Sequence, residues 1–234
     1  MKLLNLLVND MKFHLRHGFY IAYIVLTAML LGILSLFPEI IKEQAAIILT
    51  ITEIGSFGST FIAATIILEK EQKLYDTLFI TPLSIHSFIQ AKVMALSIPA
   101  LLSGMILFAN SFGVRAITPE FIIGVMLTSI LFSLLGFALA TRCDSINGFI
   151  LLAAPFGLLF VGLPLVHDLR LLQVPFNSYL PTQGAIQLIR ASFEEAHWKD
   201  SLRSIFSLSV WIALFYIWAK RWFSNTIVWK GDSR

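Results

Sequence analysis

Six apolar runs, each near the length of a helix that crosses a bilayer, dominate this chain and leave few folds open to it. A hydrocarbon core about 30 Å thick needs roughly 20 apolar residues at about 1.5 Å rise per residue. The runs fall at residues 19–37, 45–68, 93–112, 121–141, 146–166 and 205–219, with short polar segments between them. Only 13% of the 234 residues are charged and mean hydropathy is +0.82, so water is not the main solvent of the folded chain. The predicted fold is an all-α integral membrane protein of six spans, with residues 1–234 forming a single transmembrane domain.

Residues 1–17 add a different pattern. Leu3, Leu4, Leu7, Met11 and Leu15 share one side at helical spacing, while Asn5, Asn9, Lys12 and Arg16 lie elsewhere. That pattern predicts an amphipathic helix lying in the membrane interface. The first long apolar run ends in Phe37-Pro38-Glu39 without a small-residue cleavage pattern, so it reads as a span and not as a cleaved signal. With the N-terminus inside, eleven of the 17 Lys and Arg fall on the inner side, which predicts both termini in the cytoplasm. Trp222, beside Lys220 and Arg221, marks the edge of the last span.

The same composition excludes several functions. A net charge of +3 scattered along the chain gives no basic face to follow a nucleic-acid backbone. The single cysteine, Cys143, excludes an intrachain disulfide and any multi-cysteine metal or redox site. Five histidines give no ligand cluster, since His14 and His17 beside a basic segment read as interfacial side chains. No Gly-x-x-x-x-Gly-Lys-[Ser/Thr] occurs, so no loop of backbone N–H groups cradles nucleotide phosphates and the chain cannot hydrolyse ATP alone.

Two features carry functional expectation. Glu53 lies inside the second run amid Thr50, Thr52, Ser56 and Thr60, at a depth where a carboxyl faces protein or water. It is either part of a translocation path or a structural, hydrogen-bonded carboxyl. In the same run Gly55, Ser59 and Ala63 recur every four residues and would admit a close neighbouring helix. Pro99 interrupts the third run, and Pro155, Gly157, Gly162 and Pro164 make the fifth the most breakable. Residues 167–202 form the longest outer segment, where Pro181-Thr182 precede a helical pattern over 183–196; either a helix folding back onto the membrane or a surface loop fits.

The second feature joins runs two and three. Glu69 and Glu71 precede Leu74, Asp76, Leu78 and Phe79, and Thr81, Pro82, Leu83 and Ser84 follow. The spacing predicts a helix over 69–79 with acids at its positive dipole end, then a break and a second helix capped by Thr81 with Pro82 in its first turn.

This loop resembles the first cytoplasmic loop of permease subunits of the type-2 ABC exporters, in which acids, a leucine and a Thr-Pro or similar pair occur in order. The six-run layout, the amphipathic N-terminal segment and the long outer loop extend the resemblance over essentially the whole chain. The chain departs from it at Leu74-Tyr75-Asp76-Thr77, where many members carry Gly-Thr or Gly-Ser. The resemblance implies a helix at this loop that couples to a separate ATPase subunit, which holds ATP and Mg while this chain binds no cofactor. It further implies a second permease copy, identical or sibling, in a bacterial plasma membrane, exporting a lipophilic or amphipathic drug, antibiotic or lipid. Ala91-Lys92-Val93-Met94-Ala95 is similar to the haem-exporter B subunit of cytochrome c maturation, and a non-transporting membrane assembly protein is a third reading.

Overall fold

The computed structural model describes residues 3–75, 84–194 and 197–225, and among these every regular element is helical. α1 (Leu3–Arg16) is followed by Gly18, whose φ of 77° puts it in the left-handed region that glycine adopts without a Cβ penalty. The chain there bends by 67° into α2 (Phe19–Ser35). α2 has 17 residues, the lower edge of spanning length. Its buried stripe is Tyr23, Leu26, Thr27, Leu30 and Leu34, yet the opposite side shows Ile21, Ile24, Val25 and Met29. A helix apolar on both sides and buried on one is what lipid permits.

Among the described residues five further helices are long and apolar enough to cross a membrane. Four exceed the spans read from sequence, because polar residues at their ends remain helical. α3 (Glu39–Glu53) and α4 (Ser59–Glu71) form one 33-residue span through a wider π-helical turn at Ile54–Gly58. α5 (Ile85–Phe112) begins eight residues before the predicted third span, capped by Ser84, whose hydroxyl accepts the Ser87 N–H at 3.1 Å. α6 (Pro119–Ala140) starts with Thr118 as cap and proline in its first turn. α7 (Ile146–Gly157), a second π-helical turn at Leu158–Gly162 and α8 (Leu163–Asp168) make the fifth span. α9 (Pro181–Arg190) is short, and α10 (Trp198–Phe223) closes the bundle.

α6 is the central helix: 72% of its apolar stretch is buried, against 28% for the α7–α8 span and 22% for α10, which turn outward. Close approach at the centre depends on Gly136, where a Cβ would stand 2.5 Å from the Ser59 carbonyl oxygen. Ser59 belongs to the small-residue face read from the sequence, so that face meets α6. In lipid, packing and not apolar burial holds helices together, which is why these small residues matter.

α9 folds back into the protein. Its Pro181, Thr182, Ala185, Ile186, Leu188 and Ile189 are buried against neighbouring helices. Pro164 offers no N–H to the Phe160 carbonyl, and the Thr182 hydroxyl donates to that oxygen instead. Arg190 grips both oxygens of Asp168 at 2.7 and 2.8 Å, and Gln44 donates to the same carboxylate at 2.6 Å, tying α9, α8 and α3 at one end of the bundle. The helix predicted over 183–196 therefore starts earlier and ends at Arg190; Phe193 lies beyond it, its ring against Phe108 and Phe112.

Candidate functional site

At the other end of the bundle, the one carrying α1, charges concentrate at helix ends. Lys92 of α5 is 1% exposed, and its ammonium donates to Glu69 at 2.5 Å and to Asp10 of α1 at 3.0 Å. The second Glu69 oxygen accepts the Tyr75 hydroxyl at 2.9 Å. One buried cation thus joins α1, the end of α4 and α5. Charge-assisted bonds with both carboxylates offset the cost of taking the ammonium out of water. Next to it, Lys70 donates to the Thr141 and Cys143 carbonyls at 3.0 and 2.9 Å, closing the C-terminal end of α6, where cations are favoured. Phe88, Phe137, Phe223 and Tyr75 pack ring against ring beneath the charges, Phe88 stacked on Phe223 with centroids 5.3 Å apart and the Phe88–Phe137 and Tyr75–Phe223 pairs edge to face.

This geometry corrects part of the sequence reading. Glu69 and Glu71 occupy the last turn of α4 and not the first turn of a new helix, because the helix of the span continues through Leu68 without a break. α4 ends at Gln72, and Lys73 follows at φ 53°, a left-handed conformation that breaks the helix before Leu74. Glu71 is exposed, Glu69 is buried and Leu74 is half-buried. Asp76, Leu78, Phe79, Thr81, Pro82 and Leu83 lie outside the described residues. The helix that follows them runs from Ile85 with Ser84 as its cap, and not from a Thr81 cap. Lys92, one of the eleven cations the sequence places on the inner side, is the centre of the buried network.

Deeper in the bundle, Glu53 is 2% exposed as the last residue of α3. Ser103 of α5 donates to its Oε1 at 2.5 Å, and the Thr27 and Ser103 hydroxyls are 2.7 Å apart. Beside them a cavity of about 440 Å³ opens between α2 and α5, lined by Tyr20, Tyr23, Thr27, Pro99, Leu102 and Ser103 among others. Pro99 shapes one wall chemically as well as sterically. It has no N–H to return to the Ala95 carbonyl, and the Tyr20 hydroxyl donates to that oxygen at 3.2 Å. Glu53 was legible in the sequence; Tyr23, Thr27 and Ser103 were not, since single hydroxyls in apolar runs carry no spacing signal.

A model of the fluoroquinolones export permease protein family matches residues 1–231. The chain belongs to that family. The permease is also 23% identical over 186 residues to fluoroquinolones export permease proteins of Mycobacterium tuberculosis strains CDC 1551 / Oshkosh and ATCC 25618 / H37Rv, covering 80% of this chain and 78% of each relative. It is an integral membrane export permease. Among the described residues no group of three or more His, Cys, Asp or Glu stands close enough to hold a metal ion.

Proposed function

We propose that this chain is the membrane-spanning subunit of an ATP-driven exporter whose ATPase is a separate polypeptide docking at the end of the bundle that carries α1. The observation that carries the reading is the Asp10–Lys92–Glu69–Tyr75 network. It binds α1, α4 and α5 together at the base of the segment 69–84, so a force applied to that segment reaches two spans at once. The family match supports export as the task, and the relatives' names support a fluoroquinolone or a similar planar amphipathic drug as cargo.

In this reading the end carrying α1 and both termini face the cytoplasm of a bacterium, the whole chain is one transmembrane domain, and a second permease copy completes the path. The outward apolar faces of α7 and α10 meet lipid or that copy. Glu71 and Asp76 orient the ATPase by charge, Leu78 and Phe79 supply its apolar contact, and Thr81, Pro82, Leu83 and Ser84 shape the loop's return to α5. Glu69 acts from inside, as the tether. ATP and Mg stay on the partner.

Co-purification with the ATPase and uptake of a fluoroquinolone into inverted vesicles test this. Changing Leu78 and Phe79 together to Ala removes about 2–4 kcal/mol of contact, roughly a 30- to 1000-fold loss of ATPase capture, with normal membrane insertion. Capture and ATP-dependent uptake at the parent rate in that variant would falsify the coupling assignment. Loss of cytochrome c maturation with intact drug export, on deletion of the gene, would favour the haem-exporter alternative.

A further inference from the structure

The cavity between α2 and α5 is lined almost wholly by apolar atoms, with the nearly buried Thr27 and Ser103 hydroxyls at its floor, and counting hydrogens on that pair shows what it accepts. Ser103 has one hydroxyl hydrogen and gives it to Glu53. Thr27 has one and directs it to the Tyr23 carbonyl at 2.7 Å or to Ser103. The floor therefore offers oxygen lone pairs, with a carboxyl immediately behind them. Two polar atoms here have no hydrogen-bond partner although they are buried: Glu53 Oε2 and the Tyr23 hydroxyl, on residues 2% and 3% exposed. Burying such groups without a partner is costly, and both belong to residues that flank the Thr27–Ser103 pair.

The wall has the opposite character. Tyr23, Pro99 and Leu102 give it flat, apolar surface, and Leu102 is 53% exposed on the outer side of α5, so the cavity opens toward the lipid. Its volume of about 440 Å³ falls in the range of small-molecule sites. Access from lipid selects an amphipathic molecule; acceptor lone pairs backed by a carboxyl select an N–H-bearing cation over an anion.

We propose that the α2–α5 cavity binds an amphipathic organic cation, with its ring system against Tyr23, Pro99 and Leu102 and its ammonium on the Thr27–Ser103 floor backed by Glu53. This deepens the exporter reading and rests on it only for the direction in which the bound molecule moves. Glu53 then acts on the ligand's charge through Ser103, from behind the cavity lining.

The test is fluorescence titration of the purified full-length chain in nanodiscs, without ATPase, using three ring systems of similar size. 9-Aminoacridine is a planar cation with N–H donors, 9-methylanthracene is neutral, and anthracene-9-carboxylate is an anion. The cation binds saturably, and at least tenfold tighter than the anion. Glu53→Gln and Ser103→Ala each weaken the cation tenfold or more and leave the neutral ring within about twofold. Leu102→Trp fills the cavity mouth without touching the buried carboxyl and removes binding of both; it carries the test if Glu53→Gln fails to fold. Equal affinity of the cation for the parent chain and for Glu53→Gln, or for Leu102→Trp, overturns the proposal. Because binding is read without transport, loss of ATP-driven export in a separate vesicle assay would count against the exporter reading and leave this one standing.

Discussion

Replacing Lys92 by Met removes the cation that joins α1, α4 and α5 while keeping most of the side chain's volume. The structure sets the magnitude. Two charge-assisted bonds are lost, at 2.5 Å to Glu69 and 3.0 Å to Asp10, on carboxylates 6% and 14% exposed. At about 1.5–3 kcal/mol each, they sum to roughly 3–6 kcal/mol, and breaking a buried pair on one side costs about 3–5 kcal/mol. Asp10, the more exposed carboxylate, turns toward water, which places the loss near about 3 kcal/mol. For a chain of this length that lowers the melting temperature by about 6–12 °C. The assay is thermal unfolding of the purified protein in detergent, followed by tryptophan fluorescence. Lys92→Met with Glu69→Gln recovers about half of the loss, because the neutral amide keeps an acceptor for the Tyr75 hydroxyl and leaves no charge behind. Unchanged melting of Lys92→Met, or a double variant that loses the sum of both single changes, refutes the account of Lys92 as a tether.

Two more outcomes follow from local chemistry. Tyr20→Phe leaves the Ala95 carbonyl without a donor and costs about 1 kcal/mol, but costs almost nothing in a Pro99→Ala background, where residue 99 regains the N–H that carbonyl lacks; equal losses in both backgrounds, by thermal melting, contradict the assignment. His14 is wholly buried in α1, bonded to Thr65 at 3.2 Å, and burial, with the positive charges of Lys92 and His17 adding to it, pushes its imidazole down to about 3 from the usual 6.5. The docked helix holds it neutral and the undocked helix takes up a proton, so docking is strongest above about pH 6.5 and weakens by about 1.4 kcal/mol per pH unit as pH falls toward 3. Hydrogen exchange of α1 amides, corrected for intrinsic rates, shows less protection at pH 5 than at pH 7.5, and His14→Phe abolishes that difference; equal protection at both pH values in the parent chain refutes it.

Residue composition and run length by themselves determined the solvent of this protein and the helices that meet it. Six stretches near 20 apolar residues allow little else, because unpaired backbone groups are too costly in hydrocarbon for any element except a helix or a closed barrel. The small-residue face at Ser59 and a protein-facing Glu53 were also legible, since both follow from position along one helix. The ends of helices were not. Glu69 and Glu71 look like the start of a coupling helix when read alone, but α4 carries them as its last turn, and Lys92 and Tyr75, distant in sequence or beyond a left-handed residue, supply the partners of Glu69.

Tertiary structure decided which polar groups work together. Lys92 reads as one more cytoplasmic cation until α1 and α4 close around it, and Ser103 and Thr27 read as ordinary hydroxyls until α2 and α5 bring them 2.7 Å apart beside Glu53. Pro99 and Pro164 show the same division. Their missing N–H groups are written in the sequence, whereas the hydroxyls that take their place, Tyr20 and Thr182, come from other helices. Spacing along a chain specifies which face of a helix is apolar; which helix fills the hydrogen bond left open on that face depends on packing between elements far apart in sequence, as Tyr20 and the Ala95 carbonyl are, 75 residues from each other.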